Sequence, residues 1–460
     1  MNGGKNLMTE KRSAAPFLAG IQWLFFMLAN TVVIPITIGH AFDLSSVEVI
    51  SALQRSFIFT GVACILQALV GHKYPLMEGQ SGIWWGAVLS LSASASTSGI
   101  SASELGGGLA IGIIISGFLV VLLGYFGLGN VLKRLFTPVV MSTVLFLLAA
   151  QLIGIFTKGM LGLATGDQID IPTASLSIFL VILVIWINVK GPKVIRSFSL
   201  LIGIVTGWII YELLFPASSS TAANSTSLIH LFPWGHPTVS LGLIITAVIT
   251  GLVNTTNTIA AIKGFEPMVE ATTTDNQYKK SIMLTGANSI VSGLFGMVPY
   301  APYVSTLGFL KSTLIFERAP MIIGSIVFMI LGFVPSLSQF FSTLPISVGN
   351  AVLFVAYLQL FNGALSNLRS IHFTTNTIYR IAAPILLGIA IMNIPADMFG
   401  SIPMVVRPLL SSGLLMGILL SVFLENTINW SKLDSGEKSF VKINKVPNGG
   451  AQTESYYPSK

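Results

Sequence analysis

Apolar residues run along this chain in long stretches interrupted by short polar clusters. A helix that crosses a bilayer needs about 20 mostly apolar residues, and about fourteen stretches qualify. They lie near 17–40, 47–70, 76–98, 107–127, 134–156, 173–189, 196–215, 238–262, 281–298, 301–315, 319–336, 343–365, 376–394 and 406–424. Breakers such as Gly191, Pro192 and Lys193, and polar segments such as Pro216–Pro237 and Thr272–Lys280, separate them. Strands of a membrane barrel would alternate apolar and polar residues, and these stretches do not. Backbone groups in hydrocarbon must pair internally, so the pattern predicts membrane-spanning helices.

The third and tenth stretches break the pattern. The third opens with Pro75, Glu78, Gly79, Gln80, Ser81 and Gly82, and the tenth with Pro299, Pro302, Ser305, Thr306 and Gly308. Proline and glycine at these spacings make poor helix starts. Each stretch is therefore expected to be a short extended strand followed by a half-helix. The two lie seven stretches apart, an odd number, so the halves of the chain would cross the membrane in opposite senses, as an inverted repeat. Unwound backbone survives at membrane depth only inside protein or facing water. Its free amides, with the positive ends of the half-helices, favour a ligand rich in hydrogen-bond acceptors. The alternative is that Pro and Gly only kink packed helices.

Composition narrows the classes. The 460 residues are 53% hydrophobic and 9% charged, with mean hydropathy +0.82, whereas soluble domains carry about 25% charged residues. The net charge of +7 does not form a nucleic-acid stripe, because the basic residues sit in short loops. With the N-terminus in the cytoplasm, Lys73, Lys133, Arg134, Lys190, Lys193, Arg196, Lys263, Lys279, Lys280, Lys311, Arg318, Arg369 and Arg380 fall inside, and only Lys158 and Arg407 outside. Asp43, Glu48, Glu104, Asp167, Asp170 and Asp397 are predicted outside. This alternation predicts an even number of spans in the cytoplasmic membrane, with both termini cytoplasmic. Met1–Ala15 reads as a cytoplasmic tail, not a signal peptide. The single Cys64 excludes a disulfide framework. His40, His72, His230, His236 and His372 lack metal-ligand spacing. No acid–base or nucleophile set points to an enzyme, and no cofactor is expected.

Several segments resemble the nucleobase–ascorbate transporter family, also called nucleobase–cation symporter 2, which includes bacterial uracil and xanthine permeases. The resemblance is carried by Gly20–Phe25 running to Val33–Pro35, by Lys73–Gly86, by Phe136–Met141 and, most specifically, by Gly286–Gly296. It implies an all-α polytopic membrane protein with about 14 spans in a 7+7 inverted repeat. A core domain would comprise residues 17–127 (spans 1–4) and 238–336 (spans 8–11). A gate domain would comprise 134–215 (spans 5–7) and 343–424 (spans 12–14). Cytoplasmic tails would occupy 1–16 and 429–460, the second flexible. The base would bind between spans 3, 8 and 10. Five positions depart from the family pattern: Trp23 stands where His is usual, Val253 and Asn257 where span 8 has Glu and His, and Ser305 and Thr306 where span 10 has Glu or Gln followed by Asn.

The expected substrate-binding residues are Gly82, Ile83, Asn254, Asn257, Tyr303, Val304, Ser305 and Thr306. The first two would offer amides at the start of a half-helix, unless they serve helix packing. Asn254 and Asn257 lie three apart on one helical face, where asparagine also serves to tie helices together. Glu78 is the candidate for proton coupling, because a carboxylate at the bilayer centre costs about 2.5–3.5 kcal/mol. Its alternative is a solvated charge near Lys73. Trp84, Trp85 and Tyr357 could stack on a planar ring or serve packing. The chain is thus expected to be a secondary transporter of a nucleobase, a purine in preference to uracil, coupled to H⁺ with Na⁺ or facilitated diffusion open. A small-anion carrier of the same fold is the alternative, and a channel or non-transporting sensor the alternative of another class. Expected partners are the base, the lipid bilayer and a second copy in a homodimer.

Overall fold

The computed structural model describes residues 3–97, 100–129, 134–163, 168–192, 195–196, 198–215, 229–369, 371, 373–403, 405–430 and 433. Lys133, Lys193, Asp167, His372 and the tail beyond residue 433 lie outside the described residues. The chain begins with α1 (Gly3–Thr31), α2 (Val33–Ala41) and α3 (Ser46–Leu69). Strand β1 (Glu78–Gln80) leads into α4 (Gly82–Thr97), followed by α5 (Ala102–Tyr125). Next come α6 (Pro138–Met160), α7 (Ile171–Lys190) and α8 (Ser199–Leu214). The later part holds α9 (Leu241–Phe265), α10 (Asp275–Phe295), strand β2 (Tyr300–Pro302) and α11 (Thr306–Thr313). It continues with α12 (Arg318–Gly332), α13 (Pro335–Ser342), α14 (Ile346–Tyr357) and α15 (Gln359–Leu368). The last helices are α16 (Thr375–Met392), α17 (Arg407–Leu410) and α18 (Gly413–Thr427).

Each predicted apolar stretch carries helix, but among the described residues not every stretch is one full-length helix. Among the described residues eight helices are long and apolar enough to cross a membrane, or nine if α11 and α12, bent by 120°, count as one. The physical reason is that strands, kinks and breaks consume length that hydropathy counts as helix. Arg380, expected in a loop, lies in α16 and pairs through Nε with Glu425 Oε1 of α18 at 3.2 Å. Glu425 also accepts from Thr137, the N-cap of α6, at 3.0 Å, so one carboxylate ties three helices.

The helices pack as two groups. In one, α5 packs on α9 and α10, and α12 on α1 and α3, while α10 also meets α3. In the other, α6 packs on α14, α15, α16 and α18, and α7 on α8 and α14. Lipid tails are as apolar as leucine, so association rests on close van der Waals contact rather than on the hydrophobic effect. The α5–α10 seam meets this need with small residues. A Cβ on Gly117 would lie 2.7 Å from the carbonyl oxygen of Gly286, and one on Gly286 would lie 2.7 Å from the amide nitrogen of Val121.

Substituting Gly286→Val should push α5 and α10 apart and destabilise the fold by about 1–3 kcal/mol. Thermal unfolding of the detergent-purified variant checks this, and an unchanged midpoint contradicts the packing.

Candidate functional site

The two interrupted stretches meet. Helix α10 ends at Gly296, whose left-handed φ of 58° turns the chain out of the helix. Pro299 and Pro302 then hold it extended. β2 pairs antiparallel with β1, setting Glu78 opposite Pro302, Gly79 opposite Ala301 and Gln80 opposite Tyr300. The amide of Ser81 donates to Pro299 O and that of Tyr303 to Met77 O, each at 2.8 Å, closing the ladder at both ends. Both strands are fully buried. The pairing satisfies unwound backbone that neither lipid nor a helix could satisfy.

Period-two alternation then sorts the side chains. Glu78 and Gln80 turn toward α3: Glu78 backbone groups meet Cys64 Sγ, and Gln80 Nε2 donates to Ser56 Oγ at 3.1 Å. Tyr300, opposite Gln80, also meets α3, its hydroxyl lying 3.1 Å from Thr60 Oγ1. Gly79 turns the other way, against the ring of Tyr303, and Ser81 turns toward α9.

Ser81 is the hub of the site. Its hydroxyl donates to Asn254 Oδ1 at 2.5 Å and accepts from the Ile83 amide at 3.2 Å, which caps α4, and from Asn257 Nδ2 at 3.3 Å. Asn254 donates to Tyr300 O at 2.9 Å and accepts from Asn257 at 3.2 Å. The Tyr303 hydroxyl donates to Gln80 O at 2.6 Å. Helix α9 is buried over consecutive residues from Val253 to Ile259, polar ones included. It is buried on every side, as a helix at the centre of a larger protein is.

Beside this cluster lies a cavity of about 430 Å³. Asn30, Ser81, Gly82, Asn257, Pro302, Tyr303, Val304 and Ser305 line it from one helix group. Met141, Leu145 and Leu148 of α6, Tyr357 of α14 and Leu360 of α15 line it from the other. Lys263 and Lys311 stand at its exposed end. Among the described residues no carboxylate lines it, so its deep end offers neutral amide and hydroxyl groups together with the Tyr357 ring.

The structure thus brings five of the expected substrate-binding residues to one cavity: Gly82, Asn257, Tyr303, Val304 and Ser305. Four other expected residues stand elsewhere. The Ile83 side chain is fully buried and its amide is taken by Ser81. Asn254 sits behind Ser81 and Asn257 and does not line the cavity. Thr306 is buried and accepts from the Met77 amide at 3.4 Å. Glu78 is fully buried on the far face of β1, hydrogen-bonded by Thr285 at 3.1 Å rather than solvated beside Lys73. The two tryptophans are packed: Trp85 donates to Thr37 Oγ1 at 2.9 Å and Trp84 is enclosed. Sequence reasoning missed Ser81, although strand alternation from Gly79 would have found it. Met141 of α6 belongs to the Phe136–Met141 stretch that resembles the family, but Leu145 and Leu148 carry no sequence signature.

With this geometry, comparison with known proteins is informative. Residues 15–397 match the model of the Permease family, and the chain belongs to that family. It is 26% identical over 431 residues to the uric acid permease PucJ of Bacillus subtilis (strain 168), covering 90% of this chain and 93% of that protein. It is 24% identical over 416 residues to the xanthine permease of the same organism, covering 89% and 93%. Its fold is similar to the transmembrane domain of the cyanobacterial bicarbonate transporter BicA, with TM-score 0.54 and 13% identity, over 88% of this chain and 96% of that one. The chain is a multi-pass membrane transporter, not an enzyme.

Removing the hub amide with Asn254→Leu leaves the Tyr300 carbonyl without its donor and Ser81 and Asn257 without their acceptor. Each orphaned buried group costs about 1–3 kcal/mol. The variant should melt well below the parent; equal stability contradicts the assigned bonds.

Proposed function

We propose that this chain is a secondary transporter that carries a nucleobase, a purine, across the cytoplasmic membrane by alternating access. The observation that carries this reading is the chamber beside the strand crossing, with Ser81, Asn257, Tyr303 and Ser305 on one wall and Tyr357 on the other. Neutral amides and hydroxyls both donate and accept, which suits the edge of a heteroaromatic base, and an aromatic ring suits its face. Relatives named for uric acid and xanthine support a purine.

The chamber is walled by two helix groups that slide past one another in this proposal. Residues 17–127 and 238–336 form the core that carries the base, and residues 134–215 and 343–424 form the gate. The strand-plus-half-helix units, paired antiparallel, support a 7+7 inverted repeat of about 14 spans. Lysines at the chamber mouth support a cytoplasmic opening, with both termini cytoplasmic. The driving ion is H⁺, with Na⁺ as the alternative. A homodimer is proposed on the family resemblance alone. The second reading, a small-anion carrier, is favoured by Lys263 and Lys311 at the mouth.

A ligand-shift stability screen separates the two readings. Xanthine or uric acid at 100 times its dissociation constant should stabilise the purified protein by about 2.7 kcal/mol, with sulfate and bicarbonate inert. A shift by the anions and none by any base overturns the proposal. Asn257→Ala should weaken base binding by about tenfold, the value of one hydrogen bond at the upper end of its range, and titration of the same shift measures it.

A further inference from the structure

Behind β1, on the face away from the chamber, a polar file runs between α3 and α10. At its open end Gln277 Nε2 donates to the His72 carbonyl at 2.9 Å. One turn further along α10, Ser281 O accepts from Gln67 Nε2 at 3.2 Å. The next turn brings Thr285, whose hydroxyl oxygen lies 3.3 Å from Gln67 Nε2 and whose proton goes to Glu78 Oε1 at 3.1 Å. The spacing of four residues keeps 277, 281 and 285 on one stripe of the helix. His72, Gln67, Ser281 and Glu78 are each fully buried. Among the described residues His72 Nε2, Ser281 Oγ, Gln67 Oε1 and Glu78 Oε2 have no partner at normal hydrogen-bond geometry. Buried polar atoms are almost always paired, so four of them gathered along one seam give it the chemistry to hold water or pass a proton.

The surroundings of Glu78 fit a group that gains and loses a proton. The amides of Gln67 and Asn288 and the hydroxyl of Thr285 face its carboxyl. From α3 comes Cys64, from β2 the phenol of Tyr300, and from the residue after β2 that of Tyr303. Among the described residues its carboxyl makes no ion pair, so a proton is the means on hand to neutralise it. The open end, by contrast, is charged and wet: Lys73 is exposed, and Glu266 accepts from the Thr273 amide at 3.1 Å.

We propose that the Glu78 carboxyl is the proton-carrying site of the transport cycle, reached through the Gln277–Ser281–Thr285 file and separate from the substrate chamber. The balance is simple: one proton taken up from the opposite side in the outward-facing state adds to the carboxylate to give the acid, then leaves through the file to the side bearing Lys73 in the inward-facing state, and no other bond changes. Half a turn of the Gln67 amide exchanges its NH₂ for its oxygen, so it donates to the carboxylate or accepts from the acid. Proton and base act on opposite faces of β1, three residues apart at Glu78 and Ser81. A bare charge on that strand resists passage through the low-dielectric middle of the membrane, and protonation removes the resistance. Base movement is thereby tied to proton movement without contact between them. This inference rests on the transporter reading above.

Proteoliposomes test it with radiolabelled xanthine and uric acid and an internal pH dye. For the parent, a tenfold proton gradient should drive about tenfold accumulation at one proton per base, with base-dependent internal acidification. Glu78→Gln should lose both while base exchange without a gradient stays within about twofold. Thr285→Val, which interrupts the file beside the carboxyl, should slow acidification with exchange intact. Undiminished gradient-driven accumulation by Glu78→Gln overturns the proton site and leaves the carrier standing. Loss of exchange together with accumulation in both variants makes the file structural and also overturns it. Parent protein that exchanges a base yet never couples it to protons overturns this inference alone. Parent protein that exchanges no base overturns the transporter reading itself.

Discussion

The structure depends on the backbone pairing of β1 with β2 in the middle of an otherwise helical protein. Two extended segments inside a bilayer would each leave unpaired amides and carbonyls, at several kcal/mol per group. Paired with each other, they satisfy most of these groups and leave two half-helix starts beside one chamber. Everything at the site follows from that register. Gly79 and Ser81 face the chamber side, Glu78 and Gln80 face α3, and Asn254 locks the crossing by bonding to a group on each segment.

Alternation across β1 gives one short strand two jobs. Its chamber face is neutral and built of small residues, which allows a ligand to approach backbone. Its other face carries a lone carboxylate in a buried polar seam. A helix at this position would scatter the same residues over a full turn and could not hold the two environments apart. The chamber's second wall belongs to helices that pack mainly among themselves, and such a division permits relative movement while the crossing stays intact.

Much of this was legible in the residues. Pro75 and Gly79, with Pro299 and Pro302, announce broken helices, because proline removes a donor and glycine frees the backbone. Their matched positions in the two halves point to one shared site. What could not be read is which face each side chain takes. Glu78 stood out as a carboxylate at membrane depth, but sequence proximity to Ser81 does not say that the two side chains take opposite faces of the strand. Thr306 and Asn254 are polar and close to the chamber, yet their hydrogen bonds are spent on holding it together. Leu145 and Leu148 line the chamber with no mark to distinguish them from other membrane leucines. The length of each crossing is hard to read for a related reason: hydropathy registers apolar length and is blind to where the backbone stops being helical.

The most direct test is an experimental structure determined with xanthine bound. The account predicts density for the base between Gly82 and Ser305, its edge on Asn257 and its face toward Tyr357, with residues 78–80 and 300–302 still paired. Continuous helix through either segment, or a base seated away from that crossing, would contradict it.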